Sequence, residues 1–198
     1  MQKIKEGDLL WEPSDNVRIE SNINVYMTWL RETRGLVFES YNDLWTWSVS
    51  EIEDFWTSIW DFFKVKSFQP YGRVLEKSHM PGASWFTGSQ INYAEHALRR
   101  QDDHPAILFQ SETHPLSAVS YGELYRQVAS ITAGLRQLGI KKGDRVAAYL
   151  PNIPSTVVVF LATASIGAIW SSCSPEFGTR SVIERFQQIK PSILFTTD

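Results

Sequence analysis

The chain has 198 residues, of which 43% are hydrophobic and 21% charged, and its formal net charge is -3. That length is enough to bury a sizeable core in one or two domains. Charges of both signs are mixed without a basic stripe, so we expect no nucleic-acid partner. The first residues lack an apolar run of signal-peptide length, and the most apolar run, Thr156 to Ala168, is too short to cross a bilayer. We therefore predict a soluble, cytoplasmic protein without a membrane partner.

Cysteine and histidine give no sign of a metal site. Cys173 is the only cysteine, which excludes an internal disulfide and a cysteine zinc site. Its simplest interpretation is a small buried apolar side chain. His79 and His96 are far apart in the sequence, and no third ligand stands at metal-binding spacing. We predict that the chain binds no metal.

Composition divides the chain into two parts. Seven of the eight tryptophans precede residue 86, whereas the later segments are rich in Val, Ile, Leu and Ala. The change near residues 100 to 105 predicts a helical, aromatic-rich segment over 1–103 and the first, incomplete part of an α/β domain over 104–198. Within the first part, four apolar residues at helical spacing after Ser21 predict a helix that ends before Thr33. They are Ile23, Tyr26, Met27 and Leu30.

A stronger helical pattern follows in the same part. Ser48 and Glu51 have the spacing of a capping box, and six apolar residues then share one helical face. They are Ile52, Phe55, Trp56, Ile59, Trp60 and Phe63. We interpret this aromatic stripe as packing, with ligand stacking as the alternative. The following "HMPGASWFTGSQINYAEHALRR" is predicted to be a surface connector that ends in a short helix capped by Asn92.

Strand and helix patterns alternate in the second part. "PAILF" and "SAVSY" predict a hairpin, and Ser120 with Glu123 predicts a capping box at the start of a helix that stops at Gly139. "DRVAAYL", "IWSSC" and "SILFTT" predict strands, with helices over "NIPSTVVVFLATASIGA" and "GTRSVIERFQQI" between them. This β-α-β-α-β order predicts an α/β fold with a mostly parallel sheet, covered on both faces.

Ligands of such a sheet bind outside the carboxyl ends of its strands, so three loops are candidate sites. The loop "PNIP" after the first strand lacks the glycines of a dinucleotide-binding loop. The second loop follows Cys173; three serine hydroxyls lie just before and within it, and its Gly178 is expected to allow a sharp entry into the next helix. The third loop would follow Asp198. We therefore expect that one ligand-facing loop and an element that would cover the sheet lie beyond residue 198.

The serines of the second loop have no base near them in the sequence. We interpret Ser171, Ser172 and Ser174 as capping and turn residues, with the lining of a substrate channel as the alternative. Two other classes of function stay open on these residues. One is a small transferase that uses the serines, and the other is a stand-alone α/β binding or scaffold module that ends at residue 198.

The sequence also resembles a known family. "VSYGELYRQVASITAGLRQLGIKKGDRVAAYLPNIP" is similar to the start of the large domain of the adenylate-forming acyl-CoA synthetases, a superfamily that includes luciferases and peptide-synthetase adenylation domains. "WEPS", "FWTSIWDFF", "WFTGSQINYAEHAL" and "SSCSPEFG" resemble the N-terminal portion of the acetoacetyl-CoA synthetase branch. The resemblance implies a ligase that activates acetoacetate or a similar short acyl acid with ATP and Mg²⁺, then passes the acyl group to coenzyme A.

This resemblance covers only the N-terminal portion of the family. The family's phosphate loop, magnesium ligand, ribose aspartate and catalytic lysine find no match in residues 1–198. We therefore expect no catalytic residue, no bound cofactor and no activity in this fragment, which an exposed sheet edge should make prone to self-association. The resemblance implies that Glu176 and Phe177 line the coenzyme A tunnel. Alternatively, Pro175 starts a helical turn and Phe177 fills the core.

Overall fold

The structure is a computed structural model that describes residues 5–197. The chain forms two compact units, Met1–Ser89 (unit 1) and Gln90–Asp198 (unit 2). The domain boundary after residue 103, which the change in composition suggests, stays a prediction.

Unit 1 combines helices with one small antiparallel sheet. Its described elements are α1 (Asp15–Glu20), α2 (Asn22–Arg34), α3 (Tyr41–Ser50), α4 (Ile52–Phe62), β1 (Arg73–Lys77) and β2 (Ser84–Thr87). The first predicted helix is α2, where the Ser21 hydroxyl accepts a hydrogen bond from the Asn24 amide at 3.3 Å. The helix continues through Arg34, past the predicted end. It stops at Gly35 because that residue adopts the left-handed conformation, with φ 69°.

Helix α3 corrects the interpretation of Ser48. The capping box belongs to Ser40 and Asp43: the Ser40 hydroxyl accepts from the Asp43 amide at 3.2 Å, and the Asp43 carboxylate accepts from the Ser40 amide at 2.9 Å. Ser48 lies inside α3 and donates to the Trp45 carbonyl at 2.7 Å. The predicted capping box of Ser48 with Glu51 is therefore wrong. Glu51 separates α3 from α4, and its side chain makes no cap hydrogen bond.

The aromatic stripe of α4 packs within unit 1, which confirms the packing interpretation. On one side Phe55 meets Trp47 of α3 edge to face, with ring centroids 5.8 Å apart. On another side Trp60 packs on Phe86 of β2, with centroids 4.5 Å apart. The stripe therefore joins the helices to the small sheet. The buried side chains of unit 1 include Tyr26, Leu30, Leu44 and Ser58.

Strand β2 corrects the prediction of a surface connector. It pairs antiparallel with β1, so that Thr87 lies opposite Arg73 and Trp85 opposite Leu75. The turn at Pro81 and Gly82 lies in the connection between these two strands rather than at the start of an unstructured link. The short helix at the end of the predicted connector does form, and it belongs to unit 2.

Unit 2 contains the alternating elements that the sequence predicts. They are α5 (Tyr93–Ala97), β3 (Pro105–Phe109), β4 (Ser117–Ser120), α6 (Tyr121–Gln137), β5 (Arg145–Tyr149), α7 (Pro154–Ile166), β6 (Ile169–Cys173), α8 (Thr179–Ile189) and β7 (Ile193–Thr196). Asn92 caps α5 as predicted, since its side-chain oxygen accepts from the Glu95 amide at 3.2 Å. Its side-chain nitrogen donates to the Ala164 carbonyl at 3.1 Å, near the end of α7.

The strands of unit 2 form a hairpin and a parallel sheet. β3 and β4 pair antiparallel, whereas β6, β5 and β7 lie side by side in that order and run parallel. These features confirm the predicted α/β fold. Val146 in the central strand pairs with Trp170 and Ile193, and all three pack on the core that α6 and α7 cover. The other face is only partly covered, because α8 buries none of its residues and Leu194 is 52% exposed.

Helix α6 begins at a close backbone contact. The Ser120 hydroxyl accepts from the Glu123 amide at 3.2 Å, but the Glu123 carboxylate accepts from a glutamine of the same helix, so only half of the predicted capping box forms. A Cβ atom on Gly122 would lie 2.9 Å from the backbone oxygen of Gln101. Glycine at 122 therefore lets the preceding loop approach the helix.

Candidate functional site

The candidate site lies where the three parallel strands of unit 2 end together. In the register of the sheet Tyr149 of β5 stands opposite Cys173 of β6 and Thr196 of β7. Cys173 is 4% exposed, which confirms its interpretation as a small buried residue. In open parallel sheets this edge receives ligands, and the loops that follow the three strands surround it. The loop after β7 leads to Asp198, which is outside the described residues.

The loop between β5 and α7 is closed by its own hydrogen bonds. The carbonyl of Pro151 accepts from the Thr156 hydroxyl at 2.7 Å and from the Ile153 amide at 3.0 Å. The Leu150 amide donates to the Cys173 carbonyl at 3.2 Å and so links this loop to the end of β6. The loop after β5 is therefore held in one conformation beside the loop that follows β6.

The second loop, residues 174–178, turns sharply at the end of the edge strand β6. The Phe177 amide donates to the Ser174 carbonyl at 3.1 Å, which closes the predicted turn over Pro175 and Glu176. Both of the residues that the resemblance places on the tunnel wall, Glu176 and Phe177, are exposed, and Phe177 is 38% exposed. Phe177 thus lies outside the core, and the alternative in which it fills the core is wrong.

The serines before and in this loop do not cap a helix. Ser171 and Ser172 belong to β6, opposite two alanines of β5, and the N-cap of α8 is Gly178. The capping interpretation is therefore wrong, whereas Ser174 does form the turn through its carbonyl. In the part of the chain that the structure describes, none of the three hydroxyls is hydrogen-bonded to a basic side chain. Their role in lining a channel stays a prediction.

Gly178 does not serve the purpose predicted for it. Its φ of -62° and ψ of 148° are open to any residue, and no atom lies within 4 Å of a Cβ built on it. The entry into α8 therefore needs no glycine. Glycine is nevertheless a favourable N-cap residue, and alanine is a poor one.

Tyr149 is a residue of the site that the sequence prediction misses. Its hydroxyl donates to the carbonyl of Pro175 at 2.9 Å and to that of Phe177 at 3.2 Å. The last residue of the central strand thus holds the loop of the neighbouring strand. A polar hydroxyl at the last position of β5, directly after the apolar residues Val146, Ala147 and Ala148, is the signal in "DRVAAYL" that points to it.

Arg185 is the second missed residue. Its guanidinium carbon lies 4.5 Å from the centroid of the Phe177 ring, in a cation–π contact. The neighbouring Arg180 and Glu184 form an ion pair at 2.8 Å, which contributes little because both side chains are exposed. No local spacing predicts this contact, because Phe177 precedes α8 and Arg185 lies nearly two turns into that helix.

The described residues provide no metal centre at this edge or elsewhere. No group of three or more His, Cys, Asp or Glu side chains in residues 5–197 could hold a metal ion. In the same range, no helix has both the length and the apolar character that crossing a membrane requires.

Two family models match the chain in sequence order. The model described as "Acetyl-coenzyme A synthetase N-terminus" matches residues 41–97, and the model described as "AMP-binding enzyme" matches residues 94–198. The first match lies mainly in unit 1 and the second in unit 2, so the point where one match gives way to the other lies near the change in composition along the chain.

Similar proteins include acetoacetyl-CoA synthetases from animals and bacteria. The chain is 37% identical to the acetoacetyl-CoA synthetase of Rattus norvegicus, over 100% of this chain and 30% of the relative. It is 38% identical to the acetoacetyl-coenzyme A synthetase of Rhizobium meliloti, over 96% of this chain and 29% of the relative. The solved structure of acetoacetyl-CoA synthetase from Streptomyces lividans matches with a TM-score of 0.87 and 48% identity, over 94% of this chain and 30% of that one.

The chain thus spans about 30% of the length of the relatives that it matches. The longer of the two family matches covers nearly all of unit 2, including the three parallel strands whose ends form the candidate site. Because that model covers residues 94–198, more than half of the chain, the chain belongs to the AMP-binding enzyme family.

Proposed function

We propose that this chain is the N-terminal part of an acetoacetate–CoA ligase. Such an enzyme uses ATP and Mg²⁺ to form an acyl-adenylate from acetoacetate or a similar short acid, then transfers the acyl group to the thiol of coenzyme A. The observation that carries the proposal is the likeness to the Streptomyces lividans enzyme, which extends through both units at 48% identity and a TM-score of 0.87. Residues 1–103 would form a helical extension, and residues 104–198 the first part of the large domain.

The reacting groups of such a ligase would lie beyond this chain. The described residues contain no cluster that fits Mg²⁺, and neither described loop at the sheet edge is glycine-rich. We therefore assign ATP and Mg²⁺ binding to the remaining length that the relatives have. Alone, the 198-residue chain should be inactive, cytoplasmic and prone to self-association. The half-exposed apolar residues Ile169 and Leu194, on the two edge strands of the sheet, support the last point.

Glu176 and Phe177 would form part of the wall along which coenzyme A enters. Both lie on the turn that follows β6, at the ligand edge of the sheet, and both face outward. The Phe177 ring offers an apolar surface of the kind that an extended pantetheine chain can contact. The carboxylate of Glu176 would repel a phosphate at close range, so we assign this turn to the uncharged part of coenzyme A rather than to its phosphates.

The test compares the 198-residue chain with the complete protein encoded by its gene. We expect acetoacetate-dependent exchange between ATP and pyrophosphate from the complete protein and none from the chain. Exchange by the isolated chain would contradict its predicted inactivity, and a complete protein without acetoacetate-dependent exchange would contradict the ligase. A reading frame that stops after Asp198 would instead favour a stand-alone binding or scaffold module.

A further inference from the structure

The loop 174–178 is held by two side chains that belong to other elements. Its own backbone closes it with the hydrogen bond from the Phe177 amide to the Ser174 carbonyl. At the end of the loop, no atom lies within 4 Å of the position that a Cβ on Gly178 would occupy. Its shape therefore depends on what reaches it from outside, and those contacts come from β5 and α8.

Tyr149 fixes the backbone of the loop. A hydroxyl has one hydrogen, so the contacts at 2.9 Å with Pro175 and 3.2 Å with Phe177 form one shared hydrogen bond. The two accepting carbonyls flank Glu176, so the hydroxyl holds the turn on both sides of that residue. Tyr149 itself is well anchored, because the three residues before it in the central strand are fully buried.

Arg185 fixes the side chain of the loop's aromatic residue. The half-exposed ring of Phe177 is free to change rotamer unless something rests on it. Arg185 lies over the ring at 4.5 Å, and among residues 5–197 it has no carboxylate partner that would draw it away, since Glu184 pairs with Arg180. Helix α8 thus sets the orientation of the ring.

We infer that Tyr149 and Arg185 are positioning residues that hold loop 174–178 in the shape that receives coenzyme A. This inference rests on the proposed function, in which Glu176 and Phe177 line the thiol substrate's path. Binding of the thiol substrate then costs less ordering of the loop, because the loop is already fixed before the substrate arrives. Adenylate formation does not involve coenzyme A and should be indifferent to both residues.

The first test uses single substitutions in the complete protein encoded by the gene. Tyr149→Phe removes only the hydroxyl and should raise the KM for coenzyme A by about three- to tenfold, the effect of one lost hydrogen bond. Arg185→Gln should raise it by about two- to fivefold, and Arg185→Lys should restore much of the loss because the cation over the ring returns. The matched controls are Tyr125→Phe and Arg126→Gln, which alter exposed residues of α6.

Two readouts separate positioning from general support of the fold. Acetoacetate-dependent exchange between ATP and pyrophosphate, measured without coenzyme A, should be unchanged in both variants. An equal loss of exchange and of thiol transfer would overturn the inference, as would an unchanged KM for coenzyme A. The KM, rather than kcat, should carry the effect, since neither residue touches the reacting atoms.

Amide hydrogen exchange on the 198-residue chain gives an answer that does not depend on ligase activity. Tyr149→Phe should speed exchange at the Phe177 amide by about three- to tenfold, with no change in the core of α7. Unchanged exchange at Phe177 would overturn the inference even if the ligase is real. Conversely, a complete protein without ligase activity would overturn the proposed function, while this measurement would still show whether Tyr149 holds the loop.

Discussion

Unit 1 and unit 2 are stabilised by different kinds of side chain. The buried apolar core of unit 1 is small, centred on Tyr26, Leu30 and Leu44, and half-buried aromatic rings surround it. Unit 2 buries a wider aliphatic core that runs through α5, α6, α7 and the central strand β5. The comparison indicates that unit 1 depends on the orientation of rings, whereas unit 2 depends on filling volume between regular layers.

The difference matters for the candidate site. The site lies on the end of β5, whose middle residues Val146, Ala147 and Ala148 are fully buried, so its base is rigid. The loops around that base are exposed and are held by a few polar and cation–π contacts. Changes to the core of unit 2 should therefore affect stability, and changes to the contacts of the loop should affect mainly the order of the loop itself.

The largest expected effect comes from replacing one buried leucine in each core by alanine. Leu135→Ala in α6 should lower the stability of unit 2 by about 3 to 5 kcal/mol, because close aliphatic packing leaves the cavity unfilled. Leu30→Ala in α2 should cost unit 1 about 2 to 3 kcal/mol, because half-buried rings around it can rotate into the space. Amide exchange protection in each helix measures the two losses. A larger loss for Leu30→Ala would reverse the comparison, and the exposed Leu138→Ala is the control.

Glycine replacements in one helix give a sharper contrast within unit 2. Gly122→Ala should destabilise by about 1 to 3 kcal/mol, because the added Cβ would lie 2.9 Å from the Gln101 carbonyl oxygen and force the backbone apart. Gly134→Ala, in the same helix with no atom within 4 Å of the new Cβ, should stabilise by about 0.4 to 1 kcal/mol. Denaturant unfolding of both variants measures the difference. Equal effects of the two substitutions would contradict a specific contact at Gly122.

The regular unit was the easier one to predict from the sequence. In unit 2 each strand and helix has its own periodicity and a clear end signal, such as Gly139 after α6, so pattern and structure agree. In unit 1 aromatic residues occur in both helix and strand. There the periodicity gave α2 and α4 but missed α1, α3 and the antiparallel pair of β1 and β2. The sequence analysis also assigned the cap to Ser48, whereas Ser40, eight residues earlier, forms it.

The candidate site was predictable in place but not in contacts. The order of strands located the ligand edge and the loop 174–178, because carboxyl ends of parallel strands meet. The shared hydrogen bond of Tyr149 joins it to residues 26 and 28 positions later in the chain. The contact between Phe177 and Arg185 joins residues eight positions apart. Such contacts depend on the conformation of the turn, which spacing along the chain does not specify.

The smallest expected loss of stability tests the polar contact inside the aromatic core of unit 1. Ser58 donates its hydrogen to the Phe55 carbonyl at 2.6 Å, so the buried hydroxyl of Tyr26 donates to Ser58. Tyr26→Phe keeps the ring and should cost about 0.5 to 1.5 kcal/mol near neutral pH, the contribution of one hydrogen bond. Denaturant unfolding, followed by tryptophan fluorescence of unit 1, measures the loss.

The same pair of proteins should differ in pH dependence. Burial raises the pKa of Tyr26 above its ordinary value, outweighing the opposite effects of the Ser58 hydrogen bond and the Arg34 charge. The folded state therefore holds this proton more tightly than the unfolded state does. Its contribution is present below pH about 10, the unfolded pKa, and is lost as the pH rises toward the folded pKa. The stability advantage of the original chain over Tyr26→Phe should shrink above pH 10. An advantage that grows there would contradict a phenol kept neutral by burial.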